Sequence, residues 1–156
     1  MPKIGKQKKQ GRSKYPGEYK KPTKEGNQRN NKHFIWSLKK CLWEHRGWKK
    51  DCEGVQFFAE YIIAKLKDFE TMTWQEILDA SGGKRCGNGN NHHAISANRL
   101  PKAERIEFIK KKYMTDYEEV FSLRLTGQMR LVGIIDDINV FYILWFDRYH
   151  AFFPSI

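Results

Sequence analysis

Apolar side chains recur along the chain with two different periods, and the change from one to the other divides it. Phe34, Leu38 and Leu42 are spaced by four, with Lys39, Lys40 and Glu44 between them, which predicts a short amphipathic helix over His33 to His45, ended by Gly47. Val55, Phe58, Ile62, Leu66 and Phe69 step by three or four and predict a longer helix with one buried face, from which Glu60, Lys65 and Lys67 are excluded. Thr73 and Glu76 form a T-x-x-E capping box, and Met72 and Ile77 occupy the positions of a hydrophobic staple, so a further short helix starts there. Residues 81–91 (SGGKRCGNGNN) have four glycines and no apolar period, the signature of a mobile loop. Beyond it His92 to Leu100 approaches Pro101, which suits the first turn of a helix, and Ala103, Ile106, Ile109 and Tyr113 continue an inward stripe past the basic run Lys110 to Lys112.

From Val120 the period drops to two. VFSLRLT, MRLVGII and VFYILWFD, separated by Gly127-Gln128 and by Asp136 to Asn139, predict a three-stranded antiparallel meander. The first strand alternates Phe121, Leu123 and Leu125 with Ser122, Arg124 and Thr126, so one face looks inward; the third is apolar on both faces, as a central or helix-covered strand requires. Helices in front and strands behind give an α+β fold, with N-terminal helices packed on a C-terminal antiparallel β-sheet. There is no internal repeat.

Charge adds a second division. The chain of 156 residues has 29 Lys+Arg against 18 Asp+Glu, a formal net charge of +11, and residues 1–32 hold +9 of it. Only Ile4, Tyr15 and Tyr19 beyond Met1 are sizeable side chains in that segment, too little apolar surface to offset the entropy of ordering it. The expected organisation is a disordered basic tail over 1–32 and a single α+β domain over 33–156, with the meander from about 120. The tail reads either as an arm for phosphate or as a solubilising segment. The longest uninterrupted apolar run, Val140 to Phe146, is far short of the about 20 residues a membrane-spanning helix needs, and no apolar stretch follows the basic N-terminus as in a secretory signal. Cys41, Cys52 and Cys86 are an odd number without C-x-x-C spacing, which favours a reducing, cytoplasmic location over a disulfide framework.

Candidate chemistry is sparse in the front half. Cys41 and His45 are four apart, and Cys86, His92 and His93 flank the glycine-rich loop, but the spacing matches no zinc module, and a thiol on an amphipathic helix is commonly a small buried hydrophobe. Asp136 and Asp137 sit where a hairpin turn is expected and read as turn residues. No metal or other cofactor is expected. The loop lacks the context of a nucleotide-binding loop, although Lys84 and Arg85, followed by His92 and His93, are placed to meet a polyanion such as RNA.

The strands are more specific. Arg124 and Arg130 on the first hairpin, with Asp147-Arg148-Tyr149-His150 at the end of the third strand, gather cations and one imidazole near one end of the fold. Metal-independent RNA cleavage needs a base for the 2′-hydroxyl, cations for the phosphorane's charge and an acid for the leaving 5′-oxygen; a histidine, with an unperturbed pKa near 6.5, suits the proton transfers. The two arginines stand directly opposed, and so on one face, only if paired positions sum to 254, whereas a two-residue Gly127-Gln128 turn gives 255 and sets Arg130 opposite Leu125.

Over these residues, Ser122-Leu123-Arg124-Leu125-Thr126, Arg130-Leu131-Val132, Asp136-Asp137 and Arg148-Tyr149-His150, the sequence resembles the C-terminal half of the RelE/ParE-like toxin superfamily, most of all its YoeB-type branch. The resemblance implies a RelE-like sheet and an mRNA-interferase endoribonuclease of a toxin–antitoxin system, with RNA, the ribosome and an antitoxin protein as partners. It implies that Arg130 contacts the scissile phosphate and His150 is the acid. From the charge pattern alone, Arg124, Arg148, Lys84 and Arg85 are further candidate RNA contacts. For the family's glutamate base, Glu118 and Glu119 are the nearest candidates. The chain departs from the family in its basic tail, its extra helical layer and the segment Ala151 to Ile156 beyond the histidine. The alternatives are a non-catalytic nucleic-acid-binding protein, with Tyr142 or Trp145 packing the core or stacking on bases, and a protein-interaction or inhibitor module.

Overall fold

A computed structural model describes residues 31–45, 48, 54–80 and 92–152. The basic tail up to residue 30 and the glycine-rich loop 81–91, with Lys84 and Arg85, lie outside the described residues.

The predicted helix over His33 to His45 is replaced by a strand and turns. β1 (Ile35–Ser37) lies parallel to the last strand, Ile35 to Ser37 pairing with Val140 to Tyr142. Just before it, the Phe34 N–H donates to the carbonyl of Met72 and His33 bridges to Thr73. These distant partners satisfy the backbone groups a local helix would otherwise have paired, and Leu38, expected to be buried, is exposed.

α1 runs unbroken from α-helical Gly54–Phe57 through π-helical Phe58–Ile63 to α-helical Ala64–Glu70. The π-turn corrects the expected stripe. Ile62, Leu66 and Phe69 are buried as predicted, but Val55 is exposed and Phe57 packs on Phe146 instead. Phe57 and Ile62 are five apart, the interval that an i→i+5 turn brings onto one face. α2 (Trp74–Asp79) opens with the complete Thr73–Glu76 capping box.

β2 (His93–Ser96) is a strand where the approach to a helix was expected, followed by a 3₁₀ turn at Ala97–Arg99. α3 (Glu104–Tyr113) buries Ile106, Ile109 and Tyr113, the predicted stripe. The meander is present as β3 (Glu119–Arg124), β4 (Arg130–Ile135) and β5 (Val140–Asp147).

The fold is α+β, and its sheet is five-stranded and mixed rather than purely antiparallel, in the order β1-β5-β4-β3-β2. On one face Phe34, Phe69 of α1 and Trp74 of α2 form edge-on and tilted ring contacts with one another and with Phe121 and Phe141. On the other, the His45 ring sits between Phe108 of α3 and Trp145, while Lys40 lies over Tyr113 of α3 and Tyr142. Helices therefore cover both faces, which explains why β5 is apolar on both sides. Gly133, at the irregularity between β4 and β5, admits no side chain: a Cβ there would fall on the Tyr142 carbonyl and the Phe141 ring.

Candidate nucleic-acid site at the end of the sheet

The β3–β4 register decides the geometry. Arg124 pairs with Arg130, Leu123 with Leu131 and Ser122 with Val132. The connection is one residue longer than the two-residue turn, because Leu125 N–H donates to the Met129 carbonyl and Met129 N–H to that of Thr126, with Gly127 in the left-handed region at φ 51°. Directly opposed residues of an antiparallel pair share a face, so both arginines project to the same side. Arg130 also pairs with Asp147 on β5, which extends the row to Arg124–Arg130–Asp147.

This row lies at the end of the sheet where β2 begins. Across β3, His93 pairs with Ser122, two residues from Arg124, and therefore joins the arginine face. Its neighbour His92 turns to the opposite face, where it is buried against the Phe69 ring and its Nδ1 accepts the backbone N–H of Arg124 at 3.0 Å. That bond continues the β2–β3 ladder past Ser122 and ties the first residue before β2 to the strand carrying Arg124.

Behind the row, Ser122, Val132 and Trp145 are fully buried on the same face. Arg124, Arg130, His93 and His150 are half-buried, so they form the accessible rim. Arg130 is folded back onto its own hairpin, its Nη1 donating to the carbonyls of Gly127 and Met129, both at 3.0 Å.

His150 is brought to this rim by Asp147. The carboxylate is 2% exposed and accepts the backbone N–H groups of Ala151 at 2.8 Å and Phe152 at 2.9 Å, closing a turn in which His150 adopts φ 54°. A left-handed conformation is uncommon for histidine and persists only where its surroundings hold it. Phe152 supplies the second anchor: it is buried on Trp145, beneath the guanidinium of Arg105, which also donates to the Ala151 carbonyl at 2.6 Å.

The electrostatics agree with this placement. Burial holds the His93 imidazole down to a pKa of about 4, helped by the charge of Arg130 and by His150. His92 is likewise held to about 4, first by burial and then by Arg130 and Arg124. His150 is lowered by burial and Arg130, while Asp147 pulls it back up. All three imidazoles are therefore shifted toward their neutral form beside two guanidinium groups, a balance that an arriving anion would change.

Arg130, His150 and Arg124 are thus brought together. Arg148 is not: it follows Asp147 onto the other face, with its guanidinium 4.5 Å from the centre of the Phe57 ring. Glu119 pairs with Ser96 at the far end of β3, about 16 Å along the strand from Arg124, and Glu118 precedes it, so neither carboxylate belongs to the site. The sequence alone does not distinguish Ser122 or the anchoring role of Asp147, and it places His93 beside the glycine-rich loop. The alternation of His93 and Ile95 with Ala94 and Ser96 was the available signal, over only four residues. Among the described residues, no group of three or more His, Cys, Asp or Glu side chains is placed to hold a metal ion.

No protein-family model, curated protein or solved structure matches the chain.

Proposed function

We propose that the protein is an endoribonuclease that cleaves RNA with side-chain acid–base chemistry at the β2–β5 end of its sheet, as its resemblance to RelE-like toxins implies. The observation that carries this reading is the opposition of Arg124 and Arg130 on one half-buried face, with imidazoles in their field. Like charges directly across a pair of strands oppose stability, and a phosphodiester lodged between them reverses that sign. Arg130, already oriented by two carbonyls, stabilises the charge that develops on the phosphorane. His150, which gains its proton as the phosphate offsets the arginines, delivers it to the leaving 5′-oxygen.

In this reading the excess of +9 in residues 1–32 draws the protein to polyanions, the ribosome among them, and action takes place in the cytoplasm. An antitoxin protein would restrain the activity. No helix among the described residues is long and apolar enough to cross a membrane.

The test is incubation of the purified full chain with RNA in the presence of chelator, with and without ribosomes. Cleavage leaving a 2′,3′-cyclic phosphate and a 5′-hydroxyl is the expected result. Binding without cleavage in both settings would replace the enzyme by a non-catalytic nucleic-acid-binding protein.

A further inference from the structure

The proposed reaction leaves one role open, the group that takes the proton from the 2′-hydroxyl, and the two glutamates nearest in sequence stand at the wrong end of β3. We infer that His93 is that base and that, with His150 as acid, it makes the site a two-histidine ribonuclease centre. The inference rests on the RNA-cleaving reading above.

Strand order supplies the geometry. Across the end of the sheet run β5, β4, β3 and β2, so Arg130 and Arg124 occupy the two central positions. His150 enters from the turn after β5, and His93 stands on the outer strand β2. An in-line displacement at phosphorus needs its nucleophile and its leaving group on opposite sides, and two imidazoles flanking an arginine pair provide one for each. Ser122 gives an independent indication. It is the residue directly opposite His93, it is fully buried, and its hydroxyl has no hydrogen-bond partner. A buried polar atom in that condition costs stability, and a ribose or phosphate oxygen would satisfy it once the half-buried side chains in front of it move aside.

The surroundings suit a base. The charged and titratable groups around His93 are Arg130 and Arg124 on the neighbouring strands, His150 and Asp147 beyond β5, and His92 behind it on its own chain; Arg105 of α3 is taken up by the closing segment. Burial, then the charge of Arg130, keep His93 neutral at pH 7, so its ring has a lone pair, and a bound phosphate that offsets Arg130 raises its basicity toward the working pH. As the 2′-oxygen attacks phosphorus, its proton passes to His93. As the bond from phosphorus to the 5′-oxygen breaks, His150 gives its proton to that oxygen. The products are a 2′,3′-cyclic phosphate and a 5′-hydroxyl, with His93 protonated and His150 neutral until exchange with water restores both.

Base and acid are separated by changing the leaving group. The full chain is assayed on an RNA with an ordinary 5′-oxygen at the cleaved linkage and on one with sulfur there, which departs as thiolate without needing a proton. His150→Gln should lose about 10² to 10⁴ in rate on the first and recover most of it on the second. His93→Gln should lose a comparable factor on both, while binding the uncleavable 2′-deoxy oligonucleotide as the parent does. In the parent protein, the rate on the sulfur substrate should keep its acidic limb and lose its alkaline one. If His93→Gln cleaves normally, is restored by sulfur, or loses affinity in step with rate, His93 is not the base and the nuclease reading stands. Should that variant not fold, a parent profile without an acidic limb overturns the assignment equally. A parent protein inert on both substrates removes the nuclease reading and this assignment together.

Discussion

Arg124 and Arg130 stand directly opposite each other across β3 and β4, on the face that also carries His93 and Asp147. In the proposed function, two guanidinium groups at neighbouring positions serve one phosphate rather than acting as two surface charges. Replacing either by alanine should weaken binding of a single-stranded oligonucleotide and reduce the salt slope by about one contact's worth. The double replacement should weaken binding by less than the product of the single losses, because one phosphate is shared. Titrations at several salt concentrations check this, and fully multiplicative losses with independent slopes would place the arginines in separate contacts.

The turn that presents His150 depends on the Asp147 carboxylate. Asp147→Ala leaves the Ala151 and Phe152 N–H groups without their acceptor and should cost about 3 kcal/mol or more, since hydrogen bonds to charged groups contribute about 1.5–3 kcal/mol each. Urea denaturation measures the loss. Under conditions where the variant remains folded, its cleavage rate should fall while affinity for the 2′-deoxy oligonucleotide changes little, since Asp147 positions the acid without touching substrate.

Legibility of the fold followed the range of the interactions. The meander, the capping box and the α3 stripe depend on neighbours a few residues apart, and each was readable. β1 was not, because Phe34, Leu38 and Leu42 satisfy a helical period while their backbone is claimed by Met72 and by β5, a hundred residues further on in the latter case. The same holds at the site. Arg124, Arg130 and His150 were visible as a cluster of residue types, whereas the choice between 254 and 255 for the pairing sum was open until the Leu125–Met129 hydrogen bond fixed it. His93 was hidden by a strand of four residues, and Arg148 was misplaced by the alternation that sends it to the other face from Asp147.

His92 and His93 make stability depend on pH in a defined direction. Both are held neutral, with folded-state values of about 4 against about 6.5 when unfolded, so the unfolded chain binds more protons in between. Stability contributed by their neutrality is complete above about pH 6.5 and is lost as the pH falls toward 4, to an extent on the order of 3 kcal/mol for the more buried His92 and less for His93. Chemical denaturation between pH 7 and pH 5, above the range where ordinary carboxylates dominate, should show this decline. His92→Leu should be less stable at pH 7, having lost the acceptor for Arg124 N–H, and should decline less steeply. Equal slopes in the two proteins would contradict the account.

Gly133 occupies a position that no other residue fits. A Cβ there meets backbone at Tyr142 as well as the Phe141 ring, and backbone cannot rotate away. Gly133→Ala should therefore destabilise by about 1–3 kcal/mol, the usual cost of overpacking a core, and should disturb the β4–β5 pairing that aligns Asp147 with Arg130. Thermal melting and the cleavage rate should fall together; an unchanged melting temperature would show that the strands separate more easily than their packing implies.

In the proposed reaction Arg130 and His150 act on one transition state. The measurement is the single-turnover rate of RNA cleavage by the parent protein, Arg130→Ala, His150→Gln and the double variant, each confirmed to unfold cooperatively. His150→Gln should lose about 10² to 10⁴ and Arg130→Ala about 10² to 10³, and the double variant should lose clearly less than the product of the two. Single variants as fast as the parent protein, or losses that multiply in full, would contradict it.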